Sequence, residues 1–359
     1  MNDHPTDPTA GPSPTPVTVH ETLPTRVLIG PGSRHDIPRE TERIGARRIL
    51  LVSTASAAGP ADELARALGP CLAGRFDRIA AHTPVTVTEE AVRVRDDVSA
   101  DSVVALGGGS AVGLAKALSV RTGIPQIAVP TTYAGSEATP VLGETRDGVK
   151  TTRRGPEIAP GTIVYDPELT LTMPPGLTLT SALNALAHAV ETLWAPQVTV
   201  VGEALATEAA DGILATLPRV LDDPSHIGHR GRLQESAWLA GLCLAGTRMG
   251  LHHQLAHALG GTYDLPHAAL HTLLLPHVMA FNLPYAPTAA ARLNRVAGGD
   301  PVAAVTRLAR SYDGPTTLTA LGVPRDGLRP IAERVAAAPH PNPRTVTTDA
   351  VTRLLEGAL

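Results

Sequence analysis

Cysteine is almost missing from this chain: among 359 residues only Cys71 and Cys243 occur, far apart and in no metal-type spacing. That excludes a disulfide framework and a cysteine-built zinc site, and it suits a reducing compartment, so a cytoplasmic setting is expected. An excess of basic charge is missing too. A net charge of −4 leaves no electrostatic footprint for nucleic acid. No apolar run approaches the ~20 residues that a membrane span requires. Residues 1–20, "MNDHPTDPTAGPSPTPVTVH", lack the basic start and apolar stretch of a signal peptide, and their Pro and Thr content opposes packing. They read as a disordered tail. No internal repeat is visible.

What remains is a globular chain, 43% hydrophobic and long enough for two domains. Residues 48–165 alternate short apolar runs with helical patterns: "RILLVST" (48–54), "PADELARALG" (60–69), "EEAVRVRDDV" (89–98), "SVVAL" (102–106), "SAVGLAKAL" (110–118) and "QIAVP" (126–130). Strands separated by helices imply parallel crossovers. After "GTIVYDPEL" (161–169) long Ala/Leu segments dominate, and prolines at 156, 160, 167, 174 and 175 punctuate the change. The expected division is an α/β dinucleotide-binding domain over 21–160 and a helical domain over 161–359, with a hinge region near 155–180.

The first chemical motif is "VVALGGGSAVGLAKAL" (103–118), an apolar strand that runs into three glycines, a serine and a helix. Gly107, Gly108 and Gly109 let backbone amides approach a phosphate at a helix N-terminus, where the dipole favours an anion. Ser110 belongs to the same cradle. The pattern is neither the dinucleotide fingerprint G-x-G-x-x-G nor a Walker loop. A second turn, "PTTYAGSEATP" (130–140), again follows a strand, and Thr131, Thr132 and Ser136 have hydroxyls for phosphate or ribose. At the end of the first apolar strand stands Ser53-Thr54, where an acidic residue would hold a ribose 2′-hydroxyl and repel a 2′-phosphate. Neither a 2′-hydroxyl nor a 2′-phosphate is therefore excluded beside Thr54.

The second motif is a histidine constellation. "GLHHQLAHALGGTYDLPHAALHTLLLPH" (250–277) contains His253-x3-His257-x9-His267, with His252, His271 and His277 nearby. His253 and His257 share a helix face, and Gly260-Gly261 is expected to turn the chain so that His267 returns to the same region. Such spacing marks a candidate metal or acid–base site, whereas His271 and His277 are expected to be structural. In "LNALAHAVETLW" (183–194), Asn184 and His188 likewise share one helical face.

Together, "GGGSAVGLAKAL", "PTTYAGSEATPVLGETRDGVKTT", "LNALAHAVE" and "HHQLAHALGGTYDLPHAALHTLLLPH" resemble the iron-containing alcohol dehydrogenase superfamily, and within it most the maleylacetate reductases. The similarity runs from "LPTRVLIGPGS" (23–33) to the C-terminal helices. The resemblance implies an N-terminal nucleotide-binding α/β domain, a C-terminal helical domain and a cleft between them, a fold shared with dehydroquinate synthase.

In metal-dependent members an aspartate and three histidines hold the ion, at positions that fall here on Asn184, His188, His253 and His267. The amide removes the anionic ligand. Maleylacetate reductases work without the metal, and Asn184 is typical of them, so no metal is expected. The resemblance implies hydride transfer from NADH or NADPH to the double bond of 2-maleylacetate, giving 3-oxoadipate, with donors meeting the developing charge. His253 and His257 would polarise and deliver the proton, His188 and His267 orient the substrate, and Asn184 donate a hydrogen bond.

A dicarboxylate or enone substrate calls for positive charge. Lys150 in "DGVKTT" matches a family lysine, and Arg248 is expected to face the cleft as a carboxylate anchor. Ala269-Leu270, where this branch has a polar pair, suggests a more apolar ligand. A homodimer built through the "LPTRVLIGPGS" strand is expected. Two alternatives stay open: a metal-using alcohol dehydrogenase of the superfamily, and a non-redox enzyme that reuses the fold.

Overall fold

The computed structural model describes residues 23–359, so the tail expected at 1–20 lies outside them. The first half runs β1 (Arg26–Ile29), α1 (Ile37–Arg43), β2 (Ile49–Ser53), α2 (Ala58–Leu68), β3 (Leu72–Phe76), α3 (Val85–Asp97), β4 (Ser102–Gly107), α4 (Gly109–Thr122) and β5 (Gln126–Pro130). The hairpin β6 (Val141–Arg146) and β7 (Val149–Arg154) follows, and then β8 (Thr162–Tyr165). Six parallel strands form one sheet in the order β1-β8-β5-β4-β2-β3. Strands β2, β4, β5 and β8 are buried along their whole lengths. Continuous apolar runs are what a parallel sheet covered on both faces requires. Ile49, Leu51, Val104 and Leu106 pack against Ala61, Leu64 and Leu68 of α2, while Leu50, Val52, Val103 and Ala105 pack against α3 and α4 on the other face.

The strand order locates the ligand crevice. From β2 the chain crosses to β3 on one side, whereas from β4 it crosses to β5 on the other. Loops that leave in opposite directions open a gap at the C-terminal ends of β2 and β4, the place where open α/β sheets bind ligands.

The helical half comprises α5 (Pro175–Leu193), α6 (Val200–Asp222), α7 (Ile227–Gly246), α8 (Leu251–Tyr263), α9 (His267–Asn282), α10 (Pro287–Val296), α11 (Pro301–Arg310), α12 (Leu328–Ala337) and α13 (Thr348–Glu356). Helix α5 is apolar nearly all round and becomes the axis of this half, packed against α6, α7 and α9. Its alanines at 182, 185, 187 and 189 are fully buried and let neighbouring helices approach.

Two expectations need correction. Strand β8 lies inside the first sheet between β1 and β5, so the change of architecture falls after residue 165, within the 155–180 hinge region but beyond 160. Gly260 and Gly261 do not turn the chain, because α8 continues through both. The turn is made by Asp264, left-handed at φ 51°, followed by Pro266 ahead of α9. Aspartate tolerates that conformation, and a proline cannot extend the preceding helix.

Candidate active site

The glycine loop and its partners converge on the crevice. A Cβ on Gly107 would meet Thr54 Cγ2 at 2.8 Å and Ala111 Cβ at 3.0 Å, a Cβ on Gly108 would meet Thr132 Cγ2 at 3.0 Å, and one on Gly109 would meet Ser136 Oγ at 3.6 Å. Thr54, Gly107, Gly108, Gly109, Thr132 and Ser136 therefore line one cradle, with Ser110 in the first turn of α4 and Thr131 bonded through its amide to the Gly107 carbonyl. No side chain caps α4, which leaves its first amides free for an anion. The close approach of Thr54, together with a φ of 154°, requires glycine at 107, whereas a Cβ at 109 would make only an ordinary contact.

The second loop is braced from beneath. Lys116 of α4 is buried, and its ammonium donates to the carbonyls of Ser136, Thr139 and Val141 and to Thr139 Oγ1 at 2.6–3.1 Å. Burial lowers its pKa to about 7, against the opposing charge of Glu137, which in turn accepts a 2.8 Å bond from the Tyr165 hydroxyl. The loop also grips the helical half: the Tyr133 amide donates to Ser181 Oγ at 3.0 Å, one turn before Asn184 on α5. Neither Lys116 nor Tyr133 was singled out from sequence. A lysine inside "LAKALSV" was the available signal.

Helices α5, α8 and α9 bring six histidines together. Ring centroids lie 5.0 Å apart for His188–His253, 6.3 Å for His253–His257, 5.6 Å for His257–His267 and 4.2 Å for His267–His271. His271 also stands 4.7 Å from both His252 and His253. His271, expected to be structural, is thus at the centre of the cluster, with neither ring nitrogen hydrogen-bonded. His277 stays outside the cluster, partly buried and near Arg310. His188, His252, His253 and His271 are buried, His267 is half-buried and His257 opens to solvent.

A residue missed in the sequence organises this cluster. Glu191 lies on α5 at the i+7 position from Asn184 and i+3 from His188, a spacing that places it on their face. Its carboxylate accepts from the amides of Gly250 and His252 at 3.0 and 2.8 Å and from His253 Nδ1 at 2.7 Å. It therefore caps α8 at its N-terminus, where a negative charge is favoured. It also fixes the His253 tautomer: Nδ1 carries the proton and Nε2 keeps its lone pair. Burial raises the Glu191 pKa, and the nearby His252 and the amide donors oppose that rise.

Burial also drives the imidazoles toward their neutral forms. His188 and His271 fall well below their usual range, His252 falls to about 4 and His253 to about 3, with neighbouring histidines adding to the shift. His257 and His267 are lowered by desolvation first. Lys150 is a further cause for both, so its charge reaches the cluster from the β6–β7 hairpin although its side chain is exposed.

Arg248 does not join the cluster. Helix α7 ends at Gly246, and the exposed guanidinium donates to the Pro339 carbonyl at 2.6 Å. His257, which feels Lys150, has no such contribution from Arg248. Ala269 and Leu270 are buried, with Leu270 inside the helical core, so the expected apolar ligand surface is not formed by Leu270.

The four positions of the family metal site do not all suit an ion. Asn184 offers a neutral amide whose Oδ1 is buried without a partner, and the nearby carboxylate, Glu191, is committed to His253 and two amides. An anionic ligand is therefore lacking.

Residues 24–167 match the profile described as iron-containing alcohol dehydrogenase, and residues 178–359 match the Fe-containing alcohol dehydrogenase family, C-terminal. A maleylacetate reductase of Sphingobium indicum is 43% identical over 342 residues, covering 95% of this chain and 97% of that protein. One of Rhizobium sp. is 44% identical over 340 residues, again covering 95% of this chain. The crystal structure of maleylacetate reductase from Agrobacterium tumefaciens superposes with a TM-score of 0.92 at 44% identity, covering 96% of this chain and 99% of that one. These likenesses establish an oxidoreductase that belongs to the iron-containing alcohol dehydrogenase family, in its maleylacetate reductase branch.

Proposed function

We propose that the chain reduces 2-maleylacetate to 3-oxoadipate with NADH or NADPH and without a metal. The observation that carries this reading is the site's composition: clustered buried imidazoles and an amide stand where an anionic ligand set would be, and the charge of Lys150 is felt at His257 and His267. The reduced nicotinamide, when bound, supplies the hydride. Gly107, Gly108, Gly109 and Ser110 would hold its phosphates, and Thr54, Thr131, Thr132 and Ser136 would offer hydroxyls to it.

Lys150 pairs with a substrate carboxylate. Asn184 and the N–H groups of His188 and His267 orient the substrate and meet the charge that develops on its ketone oxygen. A bound dianion raises the depressed imidazole pKa values by Coulomb attraction. His253 then accepts a proton on Nε2, because Glu191 behind Nδ1 stabilises the imidazolium, and passes it to the carbon next to the ketone, which collapses the enolate left by hydride addition at the β carbon. His257, open to solvent and 6.3 Å from His253 between ring centroids, passes protons from water. Arg248 has no part in this scheme.

Two accompanying features belong to the proposal. The domain division is 23–165 and 175–359, and the chain works as a cytoplasmic homodimer joined through β1. That strand is an edge of the six-stranded sheet, with β8 on one side only among the described residues. Light scattering that gives a monomer mass at micromolar concentration would refute the dimer.

The deciding assay follows NAD(P)H absorbance with maleylacetate supplied, before and after exhaustive EDTA treatment. Turnover that survives chelation is expected. Nucleotide binding without turnover would indicate a non-redox enzyme on this fold, and activity restored only by added zinc or iron would indicate a metal enzyme.

A further inference from the structure

Among the described residues, the His, Cys, Asp and Glu side chains that bring three ligand atoms within 4.8 Å of one another are those of His252, His253 and His271. These are not the family's metal positions, with which they share only His253. We propose that they form a displaced site for a divalent transition metal of zinc-like chemistry, and that its occupation removes His253 from the reaction.

Three observations converge. The rings form a nearly equilateral group, with centroids 5.3 Å apart for His252–His253 and 4.7 Å for the other two pairs. All three side chains are buried, and His252 Nδ1, His253 Nε2 and both nitrogens of His271 have no hydrogen-bond partner. Buried imidazole nitrogens without partners are costly to leave so.

The outer contacts are those that metal-binding histidines make. A ligating imidazole donates its second N–H to a carboxylate or a backbone carbonyl, which fixes the tautomer and leaves the other nitrogen free. His253 Nδ1 is 2.7 Å from the Glu191 carboxylate, and His252 Nε2 is 3.0 Å from the His271 carbonyl. Both rings thus hold a lone pair on the nitrogen that has no partner in the protein. Glu191 supplies negative charge one bond behind the site. Bond lengths of about 2.0–2.1 Å to zinc require ligand nitrogens roughly 3.4 Å apart, so rotations of about an ångström close the site. The fourth position is left for water.

The ion and the proton compete for His253 Nε2. Zinc is therefore expected to inhibit the reductase reversibly, and this consequence rests on the function proposed above. Binding itself does not, and the test reads binding directly. The EDTA-treated full-length protein is titrated with Co²⁺ while the visible bands of tetrahedral cobalt are recorded. Saturable binding of one equivalent is expected, weakened by roughly 10–100-fold or more in His271→Gln and nearly unchanged in His188→Gln and His267→Gln.

Should His271→Gln fail to fold, proton NMR of the cobalt-loaded unaltered protein decides. The His252 and His253 N–H protons, both bonded inside the protein, should appear as paramagnetically shifted signals protected from exchange. Cobalt binding that depends on His188 and His267 and not on His271 would place the ion at the family positions and overturn the proposal. Absence of tetrahedral bands, or of both protected signals, would overturn it too.

Discussion

Replacing Glu191 by glutamine tests the site and the fold together. The carboxylate accepts three hydrogen bonds, from the Gly250 amide, the His252 amide and His253 Nδ1, all of them buried. A glutamine keeps one oxygen. In one orientation its NH2 group faces the Gly250 amide and His253 Nδ1, and in the other it faces the His252 amide. Either way one buried backbone N–H loses its acceptor, at about 1–3 kcal/mol, and the bonds that remain change from charge-assisted to neutral, at about 1 kcal/mol each. Relief from burying a charge offsets part of this, leaving a net loss of about 2–4 kcal/mol. Denaturant unfolding followed by circular dichroism measures it.

Activity should fall as well, because the imidazolium of His253 loses its partner. A charged bond of about 1.5–3 kcal/mol corresponds to roughly 10–100-fold in kcat. A purely structural role would not change the pH dependence. With glutamine behind it His253 is harder to protonate, so the decline of kcat with rising pH should begin at lower pH. Unaltered unfolding together with an unaltered pH profile would refute the whole assignment of Glu191.

Acid should destabilise the protein well before its carboxylates titrate. His252 and His253 have folded pKa values of about 4 and 3, lowered by burial, against about 6.5 when unfolded. Below 6.5 the unfolded chain takes up protons that these folded imidazoles refuse, so stability present at neutral pH is lost as pH falls toward 4, by up to about 1.4 kcal/mol per pH unit for each group; urea midpoints equal at pH 7 and pH 5 would contradict this. Asn184→Asp should restore an anionic ligand and raise affinity for iron(II) or zinc at least about tenfold, with binding now dependent on His188 and His267, as calorimetry of the double variants would reveal. Lys150→Met should raise the substrate KM by roughly two- to fivefold, the size of one exposed carboxylate contact, and leave the nucleotide Kd unchanged; an unchanged KM would remove Lys150 from the site. Arg248→Met should change neither, since its guanidinium lies exposed on the Pro339 carbonyl, and a large rise in KM would show that the loop moves on binding.

Much of the fold was legible because its signals are local. Uninterrupted apolar runs such as "ILLVS" and "QIAVP" carry the buried parallel strands within themselves, and the "GGGS" turn needs little more than the lack of a side chain at Gly107 to mark the cradle. The weak strand "LAGRF" and the exposed hairpin "VKTTRR" were not visible, since their pairing comes from β2 and β6 rather than from their own pattern.

The sequence by itself determined the α/β-then-helical order, the glycine turn between strand and helix and the shared face of His253 and His257, because each follows from spacing within short stretches of chain. Only the tertiary structure decided that His271 stands at the centre while Arg248 stands outside, and that Glu191 holds α8, the His253 tautomer and its own charge in one carboxylate. Those are relations between α5, α7, α8 and α9. Periodicity says which face of a helix is buried, but what that face meets depends on how the helices cross, and the protonation of a buried imidazole depends on every group that surrounds it.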